Sequence, residues 1–217
     1  MFRPRPYVSF SSMTTFEMSP KKWAEKYLYG KKQRISRNIA LGSQVATMLE
    51  NGEETGDHMT DMIVFRLPKF ELMDKVVEMK NGIEIMDAND GKTYSLPFLL
   101  EGKEKIPLLA KPDTAKKDYS AFKEYKTSTG KWTQKQVDES GQITFYATAM
   151  HLATGKLPDD IELCQALTDY EEGGKLFLTG DIFTFKTKRT MIDIIKMRSR
   201  IKRYWKESLA YAEKELL

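Results

Sequence analysis

Hydrophobic and polar positions change their period several times along the chain. "SFSSMTTFEMSPKKWAEKYLYG" opens on hydroxyl residues suited to cap a helix, sets Phe16, Trp23, Tyr27 and Leu28 among polar residues, and closes on Gly30. It reads as a short helix, a break at Pro20 and a second helix. "SRNIALGSQVATMLENG", with apolar Ile39, Leu41, Val45, Met48 and Leu49, predicts a third helix ending at Gly52. From Met62 to Lys126 the texture becomes that of strands. Short β-branched and aromatic runs ("IVFRL", "GIEIM", "TYSLPFLL", "IPLLAKPD", "SAFKEYK") are separated by Asn-Gly, Asp-Gly and Gly-Lys turn signals.

Beyond a polar loop, "TQKQVDESGQITFYATAMHLATGKLP" predicts a helix, with a start as late as Ser140 left open, that stops at Gly155 ahead of Pro158. "DIELCQALTDY" and "KLFLTGDIFTFKTK" read as two strands joined by "EEGG". "TMID" then gives a capping box at Thr190 and Asp193 for a long amphipathic helix, with Met191, Ile194, Ile195, Ile201, Tyr204, Trp205 and Leu209 on one face. No repeat or linker interrupts the order. The expectation is one α/β domain over 1–217: N-terminal helices (1–52), a central mixed sheet with a crossing helix (62–189) and a C-terminal helix (190–217).

Composition narrows the function classes. With 35 Lys+Arg against 31 Asp+Glu the net charge is +4, which permits a nucleic-acid partner without requiring one. Cys164 is the only cysteine, so this chain alone can build neither a disulfide nor a cysteine-based metal centre. That usage fits a reducing cytoplasm. No apolar run approaches the roughly 20 residues of a membrane helix, and no signal-peptide core follows the basic start.

The candidate chemistry lies in "LLAKPDTAKKDYSAFKEYKTS". On a strand Glu124 and Lys126 point to one face and Tyr125 to the other, and pairing with the preceding strand brings Asp113 beside them. Two carboxylates converging on one point repel unless a cation lies between them, and oxygen ligation suits Mg²⁺ or Mn²⁺. Lys126 is then placed to orient a water or to neutralise charge on a phosphate. This reads as metal-dependent phosphodiester hydrolysis. Glu and Lys side by side on a wet sheet face are also ordinary surface chemistry.

The order of these residues resembles the PD-(D/E)XK nuclease superfamily, in its RecB-like and phage-exonuclease-like branch. Pro112-Asp113 is similar to the family's "PD", Glu124-Tyr125-Lys126 to its "(D/E)xK", and Gln142 with Tyr146 to the Q-x-x-x-Y element of the following helix. "SFSSMTTFEMSPKKWAEKY" is similar to the family's N-terminal segment. The resemblance implies a restriction-endonuclease-like core and a Mg²⁺-dependent deoxyribonuclease acting on DNA ends in recombination or repair, in a bacterial or phage-infected cell. It further implies that Asp113, Glu124 and the Tyr125 carbonyl hold the metal, that Lys126 positions the attacking water, and that Gln142 and Tyr146 contact DNA.

Two departures qualify it. Ser19 stands where iron-sulfur members have cysteine, so no cluster is expected. "GSQVATMLE" carries Ala46 where many relatives place a ligating histidine, which leaves Glu50 or Glu71 as a third carboxylate, or water in its place. The alternative function on the same fold is a catalytically inactive nucleic-acid-binding or assembly subunit. A homo-oligomer or a recombination partner protein is compatible with the resemblance, and a base-reading element of restriction enzymes is not evident.

Lys111 and Lys131 belong to a run of lysines that offers phosphate contacts or a solvated edge guarding against strand pairing. His58 and His151 lack a nearby second ligand and read as surface or partly buried histidines. Trp132 reads as a cap on the sheet before a base-stacking platform.

Overall fold

The computed structural model describes residues 5–31, 42, 44, 45, 48, 54, 56, 58–67, 75–88, 90–174 and 176–215. Helix α1 (Phe10–Met18) is capped by Ser9 in a capping box with Ser12, and Ser19 caps the next helix, α2 (Pro20–Trp23), which continues as one π-helical turn over Ala24–Leu28. Pro20 takes the first helical position, where a missing N–H leaves nothing unsatisfied. The break at Pro20 is as expected. The third helix expected over residues 36–52 falls mostly outside the described residues, of which 42, 44, 45 and 48 are helical.

"IVFRL" is not a strand. It forms the end of helix α3 (His58–Arg66). Thr60, Ile63, Val64 and Leu67 are buried at the spacing of one helix face, and the last three pack with Tyr125, Cys164 and Leu178. Burial of that face overrides the strand preference of its β-branched residues.

Two hairpins follow: β1 (Ile83–Met86) with β2 (Thr93–Leu96), and β3 (Phe98–Glu101) with β4 (Glu104–Pro107). Pro97 therefore splits "TYSLPFLL" between two strands. The main sheet has the order β5-β6-β7-β8, with β5 (Thr114–Ala115), β6 (Ala121–Ser128), β7 (Asp160–Tyr170) and β8 (Leu176–Thr187). β6 runs parallel to β7, and both outer pairings are antiparallel. The central mixed sheet flanked by helices is thus present.

The parallel pair needs a crossover, supplied by α4 (Gln134–Asp138) and α5 (Gly141–Thr154). Ser140 caps α5, as the later start allowed, and Gly155 ends it at φ 75°. The additional helix α4 has its own capping box from Thr133 and Gln136. The long helix α6 (Met191–Glu215) begins at the expected box: Thr190 N donates to Asp193 Oδ2 at 2.8 Å, and Asp193 N to Thr190 Oγ1 at 3.3 Å. Its buried stripe is Ile194, Met197, Ile201, Tyr204, Ser208 and Ala212. Met191 and Ile195, expected on that face, are 42% and 56% exposed. The stripe follows steps of three and four from Ile194, and those two residues fall beside it.

The principal core lies between the sheet, α5, α6 and the N-terminal helices, with Trp23, Phe122, Phe145 and Met150 fully buried. Tyr204 ties its layers together, accepting from Trp23 Nε1 at 3.0 Å and donating to Ser12 Oγ at 3.2 Å. Among the described residues no helix is long and apolar enough to cross a membrane.

Candidate active site

Asp113 stands one residue before β5, not inside a long strand. Pro107 and Pro112 lack the N–H a continuous ladder would use, so backbone bonds from neighbours hold the segment between them. Val8 N donates to Pro107 O, Leu109 N to Val8 O, and Val77 N to Ala110 O, at 2.8, 2.9 and 3.0 Å. Leu108 and Ala110 are fully buried. The rigid segment delivers Asp113 to β6, where the Thr114↔Lys123 register, continued by one residue, sets Asp113 opposite Glu124.

Alternation along β6 then divides the side chains. Phe122, on the face of Glu124 and Lys126, meets Tyr146 of α5 with ring centroids 6.0 Å apart. Tyr125 joins the opposite apolar layer with Val45, Met48, Ile63, Val64 and Leu67. Its amide donates to Asp113 Oδ2 at 2.7 Å. Because a strand residue presents its N–H and C=O to the same neighbour, the Tyr125 carbonyl points to the edge that Asp113 occupies.

Glu124 is 3% exposed. Its Oε1 accepts from Lys126 Nζ at 2.6 Å, while Oε2 is buried with no hydrogen-bond partner. Lys126 Nζ also donates to Gln142 Oε1 at 2.8 Å, and Gln142 Nε2 to the Tyr146 hydroxyl at 2.8 Å. Four of the expected residues therefore form one chain of contacts, Glu124–Lys126–Gln142–Tyr146, with Asp113 at its end. Burial, and then the charge of Asp113, push the Glu124 carboxyl up to about 8. Burial also raises Asp113, against the lowering effects of the Tyr125 amide and Lys126. Tyr146 is raised by burial.

Both carboxylates border a cavity of about 250 Å³, shared with Lys126, Thr127, Gly42, Val45, Leu67, Tyr125 and Ala166. Gly42 lies close over β6: a Cβ there would stand 3.3 Å from Thr127 Oγ1. An unpartnered buried carboxylate oxygen, a second carboxylate opposite it and a carbonyl directed to the same edge form an all-oxygen donor set that fits a hard divalent cation. Among the described residues no three His, Cys, Asp or Glu gather in one place. Glu50 and Glu71, the expected sources of a third carboxylate, and Ala46, which stands in place of a histidine, lie outside the described residues.

The other expected residues are placed differently. Lys111 Nζ is bound to Asp87 Oδ2 at 2.6 Å and to Asp90 Oδ2 at 3.0 Å, which take up its charge. Lys131 is exposed, with its ammonium 3.8 Å from the Phe183 ring centroid. His58 opens α3 on its exposed side, and His151 lies near the end of α5 with Nδ1 buried and unpartnered. Trp132 packs against the main core.

Two buried polar residues that the sequence reading passed over brace the site. Gln165, fully buried on β7 in register with Lys126, donates to Ser128 Oγ and Gly130 O at 2.7 Å each and accepts from Trp132 N at 2.9 Å. Arg189 binds Thr144 Oγ1, Thr187 Oγ1 and the carbonyls of Val137, Ser140 and Lys188, locking the α4–α5 junction that aims Gln142. A lone amide inside the apolar run "ELCQALT" was the available signal for Gln165. Nothing in local sequence distinguished Arg189 from its basic neighbours.

No protein-family model matches the chain, and no curated protein matches it in sequence. Among solved structures, one described as a "Putative exonuclease" from Eubacterium rectale aligns with 97% of this chain and 82% of its own, with a TM-score of 0.57 and 13% identity. An alkaline exonuclease from Laribacter hongkongensis, LHK-Exo, covers 96% of this chain and 91% of its own at 12% identity and a TM-score of 0.40, and its complex with dAMP scores 0.44. The first likeness shows a shared fold. The other two are too distant to add to it.

Proposed function

We propose that this chain is a metal-dependent nuclease of the PD-(D/E)XK type, hydrolysing phosphodiester bonds in DNA and acting from its ends. The observation that carries the reading is the convergence of Asp113 and Glu124 at the edge of β6, with Glu124 Oε2 buried and unpartnered beside Lys126. A fold shared with a protein described as an exonuclease supports it.

Asp113, Glu124 and the Tyr125 carbonyl would hold Mg²⁺ or Mn²⁺, with a further position left to water or to Glu50 or Glu71. When bound, the cation supplies Lewis-acid polarisation of the phosphate and makes a water more acidic. Lys126 spends two of the about three donors of an ammonium on Glu124 and Gln142. The remaining N–H orients the attacking water or meets charge developing on the phosphate. Gln142 fixes the ammonium through Oε1, and Tyr146 fixes the amide through its hydroxyl. The strand passes along Gln142 and the start of α5, and Lys131 meets its backbone farther out. A role in recombination or repair follows from action on DNA ends.

Incubation of end-labelled linear DNA and closed circular DNA with Mg²⁺, Mn²⁺ or EDTA tests the proposal. Loss of linear DNA alone, and only with metal, is expected. Intact linear DNA under every metal condition overturns it.

A further inference from the structure

Arg200 of α6 reaches the start of the helix that carries Gln142. Arg200 Nη1 stands 3.1 Å from where a Cβ on Gly141 would lie, and the Phe10 ring crowds the same point at 3.1 and 3.2 Å. A side chain at this position would press on both groups. Gly141 directly precedes Gln142, so the guanidinium is one residue and one side chain away from Lys126.

The orientation of Arg200 is fixed from α1. Glu17 accepts from Nε at 2.7 Å and from Nη2, leaving the side chain 30% exposed, and among the described residues no acceptor takes a hydrogen bond from Nη1. Arg203 lies 3.9 Å from the same carboxylate and is 64% exposed. Two guanidinium groups therefore share one carboxylate, and the excess positive charge sits where α5 begins, the end of a helix that disfavours cations. An anion laid over Arg200 relieves that cost. Lys202, by contrast, is already paired with Glu101.

We propose that Arg200 is a substrate-contacting residue, whose Nη1 edge takes a backbone phosphate of the DNA strand near the scissile one. This assignment rests on the nuclease reading. Glu17 then acts as a positioning residue that presents the guanidinium, while competing electrostatically with the phosphate. The plainer role for the pair is a strut joining α6 to α1, and the two roles differ in sign at Glu17.

The test is binding of a short, end-labelled DNA duplex by fluorescence anisotropy in EDTA, where cleavage does not intervene, over a range of salt concentrations. Arg200→Gln should raise Kd roughly 5- to 10-fold and reduce the slope of log Kd against log salt by about 0.9, the value for one phosphate contact. Glu17→Gln, which removes the competing carboxylate, should bind more tightly than the wild type. Where Arg200→Gln does not fold, Glu17→Gln decides alone: unchanged or weakened binding overturns the assignment. Wild-type Kd and slope in Arg200→Gln, or parallel loss of thermal stability in both variants with binding untouched, leaves the pair as a strut and removes the assignment, while cleavage by the wild type keeps the nuclease reading. Absence of DNA binding by the wild type removes the assignment, and the nuclease reading falls with it only if linear DNA also stays intact with Mg²⁺ and Mn²⁺.

Discussion

Lys126 and Gln142 meet across the space between β6 and α5, the ammonium donating to the amide oxygen at 2.8 Å. The amide cannot turn without losing its second bond, to Tyr146. Under the proposed function the two residues have separable roles, one facing the reaction and one holding the first in place.

Lys126→Ala should lower turnover by roughly 10²-fold or more, the scale for loss of a positioned electrostatic or acid–base group. Gln142→Ala removes only the support and should cost about 10-fold, as loss of an outer partner does. Single-turnover rates on labelled DNA give both values. Equal losses would mean that Gln142 itself touches the reacting groups.

Glu124 gives the metal-free protein a pH signature. Its carboxyl is raised from 4.5 to about 8 in the fold, so between those values the folded chain binds the extra proton. Stability from this group is full below its unfolded value and is lost as pH rises through about 8. Thermal unfolding in EDTA should therefore fall over that window, and Glu124→Gln, which stays neutral, should flatten the fall. Mg²⁺ should restore stability at the alkaline end, because it binds the deprotonated pair. A Glu124→Gln profile as steep as wild type would assign the effect elsewhere.

Arg189 is predicted to matter for stability more than for chemistry. It is 6% exposed, and its removal takes a charged donor from the Val137 and Ser140 carbonyls, which keep their bonds from Ser140 N and from Thr144, and unties the α4–α5 junction from Thr187 and Lys188. Arg189→Ala should lose about 3 kcal/mol in denaturant unfolding, from charged hydrogen bonds broken around a buried site. A loss below about 1 kcal/mol would show that water replaces the guanidinium.

How far the sequence could be read follows the range of the interactions involved. Caps and turns are local, so the capping hydroxyls before α1, Gly155 and the Thr190–Asp193 box were legible at sight, and Ser140 as one of the possible helix starts. Glu124, Lys126, Gln142 and Tyr146 were legible because strand alternation and helical spacing set their faces, and the family resemblance joined them. "IVFRL" misled because its β-branched residues prefer strands, while its burial against Tyr125 and Leu178 depends on distant parts of the chain. The same holds for Lys111, whose partners Asp87 and Asp90 lie in another hairpin. Gln165 and Arg189 bond across the sheet and the helix junction, where no short window contains both partners.

Gln165 pins the loop that follows β6 through three bonds. Gln165→Leu keeps the volume but leaves the Trp132 amide unpaired, the Gly130 carbonyl keeping its bond from Ser128 Oγ, at a cost of about 2 kcal/mol. Hydrogen exchange at the Trp132 amide should accelerate well beyond the change in global stability. Exchange that tracks global unfolding alone would mean that the loop holds itself.

The central claim is that Asp113 and Glu124 act together on one phosphodiester. Asp113→Asn and Glu124→Gln keep shape and hydrogen-bonding capacity while removing the charges, and DNA affinity rests mainly on basic contacts to phosphate. The most direct measurement compares cleavage of end-labelled linear DNA by these two variants and the wild type at saturating Mg²⁺, with binding of the same DNA measured alongside. The account predicts wild-type cleavage that each substitution abolishes while binding persists. Cleavage at the wild-type rate by either variant would contradict it.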